Sequence, residues 1–243
     1  MDVRAFGDGL LLTSRWDYAE PSVFLAANLL REARRQRKLP DGVVPRVRLL
    51  DPDGDMVRYV RETGRATHSP VWACYHTDLW ETTIGDVSVG VIGAAVGSPF
   101  AVLVAEQCFA SGCELLISVA SAGQISADLE SPCFVLIDRA SRGEGTSHAY
   151  LPPAPVVDAD PEFIDRAADG LRSAGIDVRR GMTWTTDAPY RETQTAIDRA
   201  KLAGAAVVEM EAAALYAFGR ARNLPIVCFA HVTNQMAQNE GDF

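Results

Sequence analysis

Val207-Val208-Glu209-Met210-Glu211-Ala212-Ala213-Ala214-Leu215 is the stretch on which the fold turns. An apolar, β-type run ends there in two carboxylates flanking a methionine, and an alanine-rich helical pattern begins at once. Carboxylates suit the first turn of a helix, where unpaired N–H groups and the helix dipole favour negative charge. Glu209 and Glu211 are two residues apart, which directs them to largely opposite sides of the turn. One is then free to face a cleft while the scaffold holds the other. On spacing alone, a buried strand followed by a helix with acidic N-terminal residues is the plainer account of the stretch.

The same alternation extends in both directions. β-branched apolar runs predict strands over residues 44–50, 87–94, 115–120, 133–138, 178–184, 205–209 and 226–232. Helical periodicity predicts helices over 21–36, 54–62, 99–111, 161–174, 191–203 and 210–222. Strands alternating with helices point to an α/β fold with a mixed, mostly parallel central sheet covered by helices. The Pro-rich stretch 151–156 reads as a loop within the domain, so 1–243 is expected to form a single domain. Gly97-Ser98-Pro99 supplies a turn, an N-cap hydroxyl and an early helical proline. The helix after it is apolar nearly all round and is expected to be deeply buried. Met210, Ala213, Ala214, Ala217 and Phe218 fall at helical spacing and predict an amphipathic stripe packed on the sheet.

A chain of 243 residues buries roughly 70–75% of its unfolded surface and needs no metal or disulfide to fold. With 32 acidic against 23 basic residues, the net charge of −9 argues against a nucleic-acid polymer or an anionic membrane as the main partner. It leaves room for a small anion held by local donors. The five cysteines are an odd number without metal-ligand spacing, which fits a reduced, cytoplasmic compartment. The N-terminus lacks a basic stretch followed by an apolar core, and no apolar run reaches membrane-spanning length.

Polar groups sit at the ends of successive predicted strands, where open α/β sheets form their ligand crevice. They are Ser121-Ala122-Gly123, Glu144-Gly145-Thr146-Ser147-His148, Thr185-Thr186-Asp187, the Glu-Met-Glu unit, and His231-Val232-Thr233-Asn234. Any one of these is a weak signal. Their recurrence on strand after strand is a stronger one.

Residues 208–215, the Gly181-to-Tyr190 segment, the Ile117-to-Gly123 strand end, Gly97-Ser98-Pro99 and Val232-Thr233-Asn234 together resemble the purine-nucleoside and uridine phosphorylase family, the hexameric type and its nucleosidase relatives. The resemblance runs from about residue 86 to 238. It implies a three-layer α/β/α fold and cleavage of an N-glycosidic bond, usually by phosphate, with no metal or organic cofactor. It places Met210 against the ribose, Glu211 on the 2′ and 3′ hydroxyls, and His148 near the 5′ hydroxyl, with a surface-loop histidine as the plainer alternative. A carboxylate holds a vicinal diol through charge-assisted bonds and favours a sugar developing positive charge. Ser121 falls where the family binds phosphate. Ala122, Gly123, Val208 and Glu209 line the base pocket, with Arg191 a candidate for reading a base carbonyl and Trp184 close by.

The departures from the family are as informative. Ser118 stands where the family has a phosphate-clamping arginine, and the early Gly-Asp-Pro loop is missing, Gly7-Asp8-Gly9 being a faint echo. Charge-assisted bonds are roughly twice as strong as neutral ones, so the anion site is weakened. Arg15, Arg142 or Arg191 remain to substitute, and the expected phosphate-binding pair is Ser121 with Arg142. Asn234 stands at the general-acid aspartate of purine-specific members and leans towards a pyrimidine or 6-oxo base, since an amide cannot protonate a leaving nitrogen. Pro189 replaces the base-stacking aromatic and leaves base identity open. The expected activity is nucleoside phosphorolysis to free base and ribose 1-phosphate, with Glu211 and Asn234 as catalytic residues. The alternatives are a nucleosidase using water and a nucleoside-binding protein without turnover. Family sites often borrow residues from a neighbouring subunit, so a homo-oligomer, dimer or hexamer, is expected. The family usually carries another helix after its last strand, which implies one beyond Phe243.

Overall fold

Among the described residues ten strands, seven of them from these apolar runs, form one sheet, and helices pack on both of its faces. The structure is a computed structural model that describes residues 17–234, Asn234 by its backbone alone. The strands are β1 (Val47–Asp51), β2 (Thr67–His68), β3 (Trp80–Ile84), β4 (Val87–Gly93), β5 (Leu115–Gln124), β6 (Cys133–Gly143), β7 (Val156–Asp158), β8 (Arg179–Thr186), β9 (Ala205–Glu209) and β10 (Ile226–Asn234). The helices are α1 (Ala26–Arg37), α2 (Asp55–Glu62), α3 (Ser98–Ala110), α4 (Pro161–Ser173), α5 (Gln194–Leu202) and α6 (Ala212–Arg222). Short 3-10 turns cover Thr146–Ala149 and Pro189–Arg191.

Parallel pairing joins β4, β1, β5 and β10, and again β6, β8 and β9. Antiparallel pairings link β10 to β6 and the end of β5 to β9. Strands β5, β10, β6, β8 and β9 therefore close into a ring, from which β1, β4, β3 and β2 extend. Alternation along the strands assigns the faces. Val47 and Leu49 of β1 pack with Val57 of α2, whereas Arg48 reaches the carbonyl of Cys108 in α3 on the other side. Ile117 and Val119 of β5 share a groove with Leu171 of α4. Helices α1, α3 and α6 pack together on the α3 side.

Two buried polar groups fasten these layers. The Tyr216 hydroxyl of α6 donates to the Ile137 carbonyl at 2.6 Å and accepts the Cys228 N–H at 3.0 Å, tying β6 to β10. Arg48, fully buried, donates to the carbonyls of Pro45, Cys108 and Ser111 and to the Ser111 hydroxyl. Its cation thus sits at the carbonyl end of α3, where the helix dipole favours it. Arg48→Met is expected to cost about 3 kcal/mol or more, because buried carbonyls lose a charged donor. Urea unfolding measures this, and a loss below about 1 kcal/mol would remove Arg48 from the structural account.

Several boundaries differ from those predicted. Strands β5, β6 and β10 run to Gln124, Gly143 and Asn234, longer than expected, because ring closure pairs their ends. Strands β2, β3 and β7 were not anticipated, and β7 (Val156–Asp158) begins at the end of the expected loop. Helix α1 starts at Ala26, and α5 starts at Gln194, where the Thr193 side chain accepts the Ala196 N–H. The α3 N-cap is Gly97, not Ser98. Helix α3 is mostly buried, although Leu103 is exposed. Helix α6 has no amphipathic stripe: all of Ala212 to Gly219 is buried.

Candidate active site

Ring closure brings four strand ends side by side. Gly123 of β5 pairs with Val208 of β9 and lies beside Asn234 of β10. Val208 and Glu209 pair in turn with Trp184 and Thr185 of β8. The Glu-Met-Glu unit emerges at this junction.

Its two glutamates have different surroundings. Glu209 ends β9 and is buried, its Oε1 accepting from the hydroxyls of Thr185 at 2.6 Å and Thr183 at 3.1 Å. Its Oε2 accepts the N–H groups of Glu211 and Ala212, both at 2.7 Å. The Thr185 hydroxyl also accepts the Ala213 N–H at 3.0 Å. Glu209 therefore caps α6, whose first helical residue is Ala212 rather than Met210. Expected to line the base pocket, it instead directs both oxygens into the scaffold. Glu211, the N-cap residue, accepts the Gly97 N–H at 2.6 Å. Gly97 has a φ of +89°, a conformation that favours glycine, and the adjacent Ser98 hydroxyl donates to the Met210 carbonyl at 2.8 Å. Burial, and after it the charge of Glu209, pushes the Glu211 carboxyl up to about 8. Burial raises Glu209 too, against four donors that favour its charged form. Met210 is half-buried beside them.

The expected phosphate residues are already engaged. The Ser121 N–H donates to Asp53 Oδ2 at 2.6 Å and its hydroxyl to Asp53 Oδ1 at 2.9 Å. Arg142 is buried, and its guanidinium donates to the Ser147 hydroxyl and to the carbonyls of Pro152 and Leu151. It also meets His148 Nδ1 at 3.2 Å. The guanidinium thus organises the 144–152 segment, and an anion would have to compete with that segment's own carbonyls. An arginine only donates, so Nδ1 is the acceptor and Nε2–H of His148 is left to donate. Burial, and then the Arg142 charge, lowers His148, which keeps the ring neutral. Glu144 is buried nearby, one oxygen accepting the Ser147 N–H and the other without a hydrogen-bond partner among the described residues.

Among the expected base-contacting residues, Ala122 is buried and Gly123 half-buried at the end of β5. Val208 packs with Ile125 and Ala205, and Trp184 lies against that cluster. A Cβ at Gly143 would stand 2.5 Å from Trp184 Nε1, so only glycine lets the indole lie there. Arg191, in the exposed 3-10 turn, makes no side-chain hydrogen bond or ion pair among the described residues. The Asn234 side chain, Arg15 and Gly7-Asp8-Gly9 lie outside the described residues. Asp187 accepts the Gly145 N–H at 2.9 Å, joining the ends of β8 and β6. Asp53 is the residue that sequence reasoning missed.

The fold and site define a class: an α/β protein whose strand ends present an acidic N-cap residue, Glu211, beside a half-buried methionine. Residues 48–243 match the Phosphorylase superfamily, and the chain belongs to that family. It is 29% identical to a guanosine phosphorylase of Halorubrum lacusprofundi over 188 residues, covering 75% of this chain and 70% of that protein. It is 26% identical to a uridine phosphorylase of Thermococcus kodakarensis over 212 residues, covering 77% and 76%. The purine nucleoside phosphorylase of Toxoplasma gondii, solved with immucillin-H, superposes with a TM-score of 0.70 at 18% identity over 83% of this chain and 82% of that one.

Proposed function

We propose that the chain cleaves the N-glycosidic bond of a ribonucleoside with phosphate, giving free base and ribose 1-phosphate. The observation that carries this reading is Glu211, buried at the junction of the strand ends with one oxygen on Gly97 and Met210 beside it. In the ionised form its carboxylate accepts the 2′ and 3′ ribose hydroxyls, while Met210 supports the sugar ring. His148 Nε2–H donates to the 5′ hydroxyl. As the C1′–N bond lengthens, its electron pair moves to the base and positive charge grows on the sugar. The fixed, buried carboxylate stabilises that charge. A phosphate oxygen, seated at Ser121, then bonds to C1′. In this reading Ala122, Gly123, Val208 and Trp184 form the wall nearest the base, Arg191 reads a base carbonyl, and Asn234 hydrogen-bonds the leaving base. The partners are the nucleoside and phosphate, in a homo-oligomer of one domain per chain.

A panel of purine and pyrimidine ribonucleosides, assayed with and without phosphate, tests this directly. Phosphate-dependent release of base and ribose 1-phosphate is expected. Release at the same rate without phosphate would assign the reaction to water.

A further inference from the structure

Ser121 offers an anion two donors at the end of β5, and both are taken. Asp53 meets them with one oxygen each, at 2.6 Å and 2.9 Å, the bidentate pattern that an incoming oxyanion would use. The loop that carries Asp53 is built to hold it there. The buried Asp51 next to it accepts the Val57 N–H at 2.9 Å with its side chain. The Asp51 carbonyl accepts the N–H groups of Gly54 and Ala94. The loop is thereby fixed between β1, the end of β4 and α2. Among the described residues, the cations of the groove that Asp53 lines have other partners: Arg58 pairs with Asp55 at 2.5 Å and Arg61 lies 4.6 Å from the Trp80 ring centre.

A phosphate dianion and the Asp53 carboxylate need the same donors and repel each other. They cannot share the seat. We propose that Asp53 selects the nucleophile: it occupies the Ser121 seat, and phosphate enters only by displacing its carboxylate. The proposal rests on the reading of Ser121 as the nucleophile's seat. It makes Asp53 a specificity-determining residue, because the concentration of phosphate needed for turnover follows from how tightly Asp53 holds Ser121. No covalent bond changes in the displacement, and the carboxylate moves from Ser121 to solvent, to which it is already exposed.

Calorimetric titration of the whole protein with inorganic phosphate tests this on wild type, Asp53→Ala and Asp53→Asn. Emptying the seat with Asp53→Ala is expected to tighten phosphate binding roughly ten- to a hundredfold, the worth of a charged hydrogen-bonded pair. Asp53→Asn keeps the shape and one acceptor oxygen but loses the charge, and a smaller rise of several-fold is expected. It decides the matter if Asp53→Ala does not fold. In turnover, the KM for phosphate falls in the same order while the KM for nucleoside stays unchanged. Phosphate affinity equal to or weaker than wild type in the folded variants overturns the proposal. Failure of every variant to cleave any nucleoside would count against the proposed function, whereas the phosphate titration decides the role of Asp53 separately.

Discussion

Replacing Glu211 by glutamine is expected to lower kcat/KM for nucleoside cleavage by roughly two to three orders of magnitude, the usual effect of deleting one preorganised electrostatic contact. An amide keeps the shape and the Gly97 contact, but it carries no charge to meet the developing cation. The wild-type pH profile should show the same group. Burial and the Glu209 charge hold the Glu211 carboxyl protonated up to about 8, and only the ionised form accepts both ribose hydroxyls. Because kcat/KM reports groups of the free enzyme, it should rise about tenfold per pH unit below that value and level off above it. Stability should run the opposite way. The native chain keeps a proton that the unfolded chain, with an ordinary value of 4.5, has already released. That contribution is complete below 4.5 and is lost as pH rises through about 8. Melting temperature should therefore fall across this window in the wild type and fall less in Glu211→Gln. A variant within twofold of wild-type kcat/KM, or a flat wild-type profile, would remove Glu211 from the ribose site.

Local chemistry made the Glu-Met-Glu stretch readable. The β-branched Val207-Val208 pair disfavours a helix and the alanine run from Ala212 favours one, so the switch near residue 210 follows from the chain itself. The exact start of α6 did not follow, because it is set by Glu209 capturing the N–H groups of Glu211 and Ala212 through a geometry that also involves Thr183 and Thr185 on β8. Edge strands were hidden for a related reason. Trp80–Ile84 is only half-buried to exposed and lacks the apolar alternation that reveals a strand facing a core.

The surroundings of Ser121 and Arg142 were the least readable part, since they depend on pairings far apart in sequence. Asp51-Pro52-Asp53-Gly54 has the composition of an ordinary turn. Nothing in its spacing links Asp53 to Ser121, 68 residues later. Arg142 was a candidate because Ser118 stands where the family has its phosphate-clamping arginine. Carbonyls of the Pro-rich segment, Leu151 and Pro152, fold back onto it and take its donors. In both cases a loop that sequence marks only as polar determines whether a charged group can meet a ligand.

Glu209→Ala is expected to destabilise the chain by about 3–5 kcal/mol, measured by urea unfolding at neutral pH. Removing the carboxylate leaves the N–H groups of Glu211 and Ala212 and the hydroxyl of Thr185 without their acceptor in a buried site, and leaves the Thr183 hydroxyl only the Val207 carbonyl at 3.3 Å. Each such group costs about 1–3 kcal/mol, offset where the neighbours relax or a water enters. Glu209→Gln should cost less. Its amide oxygen still accepts the two N–H groups, and its NH2 finds the threonine oxygens. The glutamine variant also separates the two carboxylates electrostatically. Without the Glu209 charge, one cause of the raised Glu211 value is gone, so the acidic limb of kcat/KM should move below 8. A loss under about 1 kcal/mol in Glu209→Ala would show that α6 does not depend on this cap. An unmoved limb in Glu209→Gln would show that burial alone sets the Glu211 proton. Glu209 would then shape the helix but not the chemistry of its neighbour.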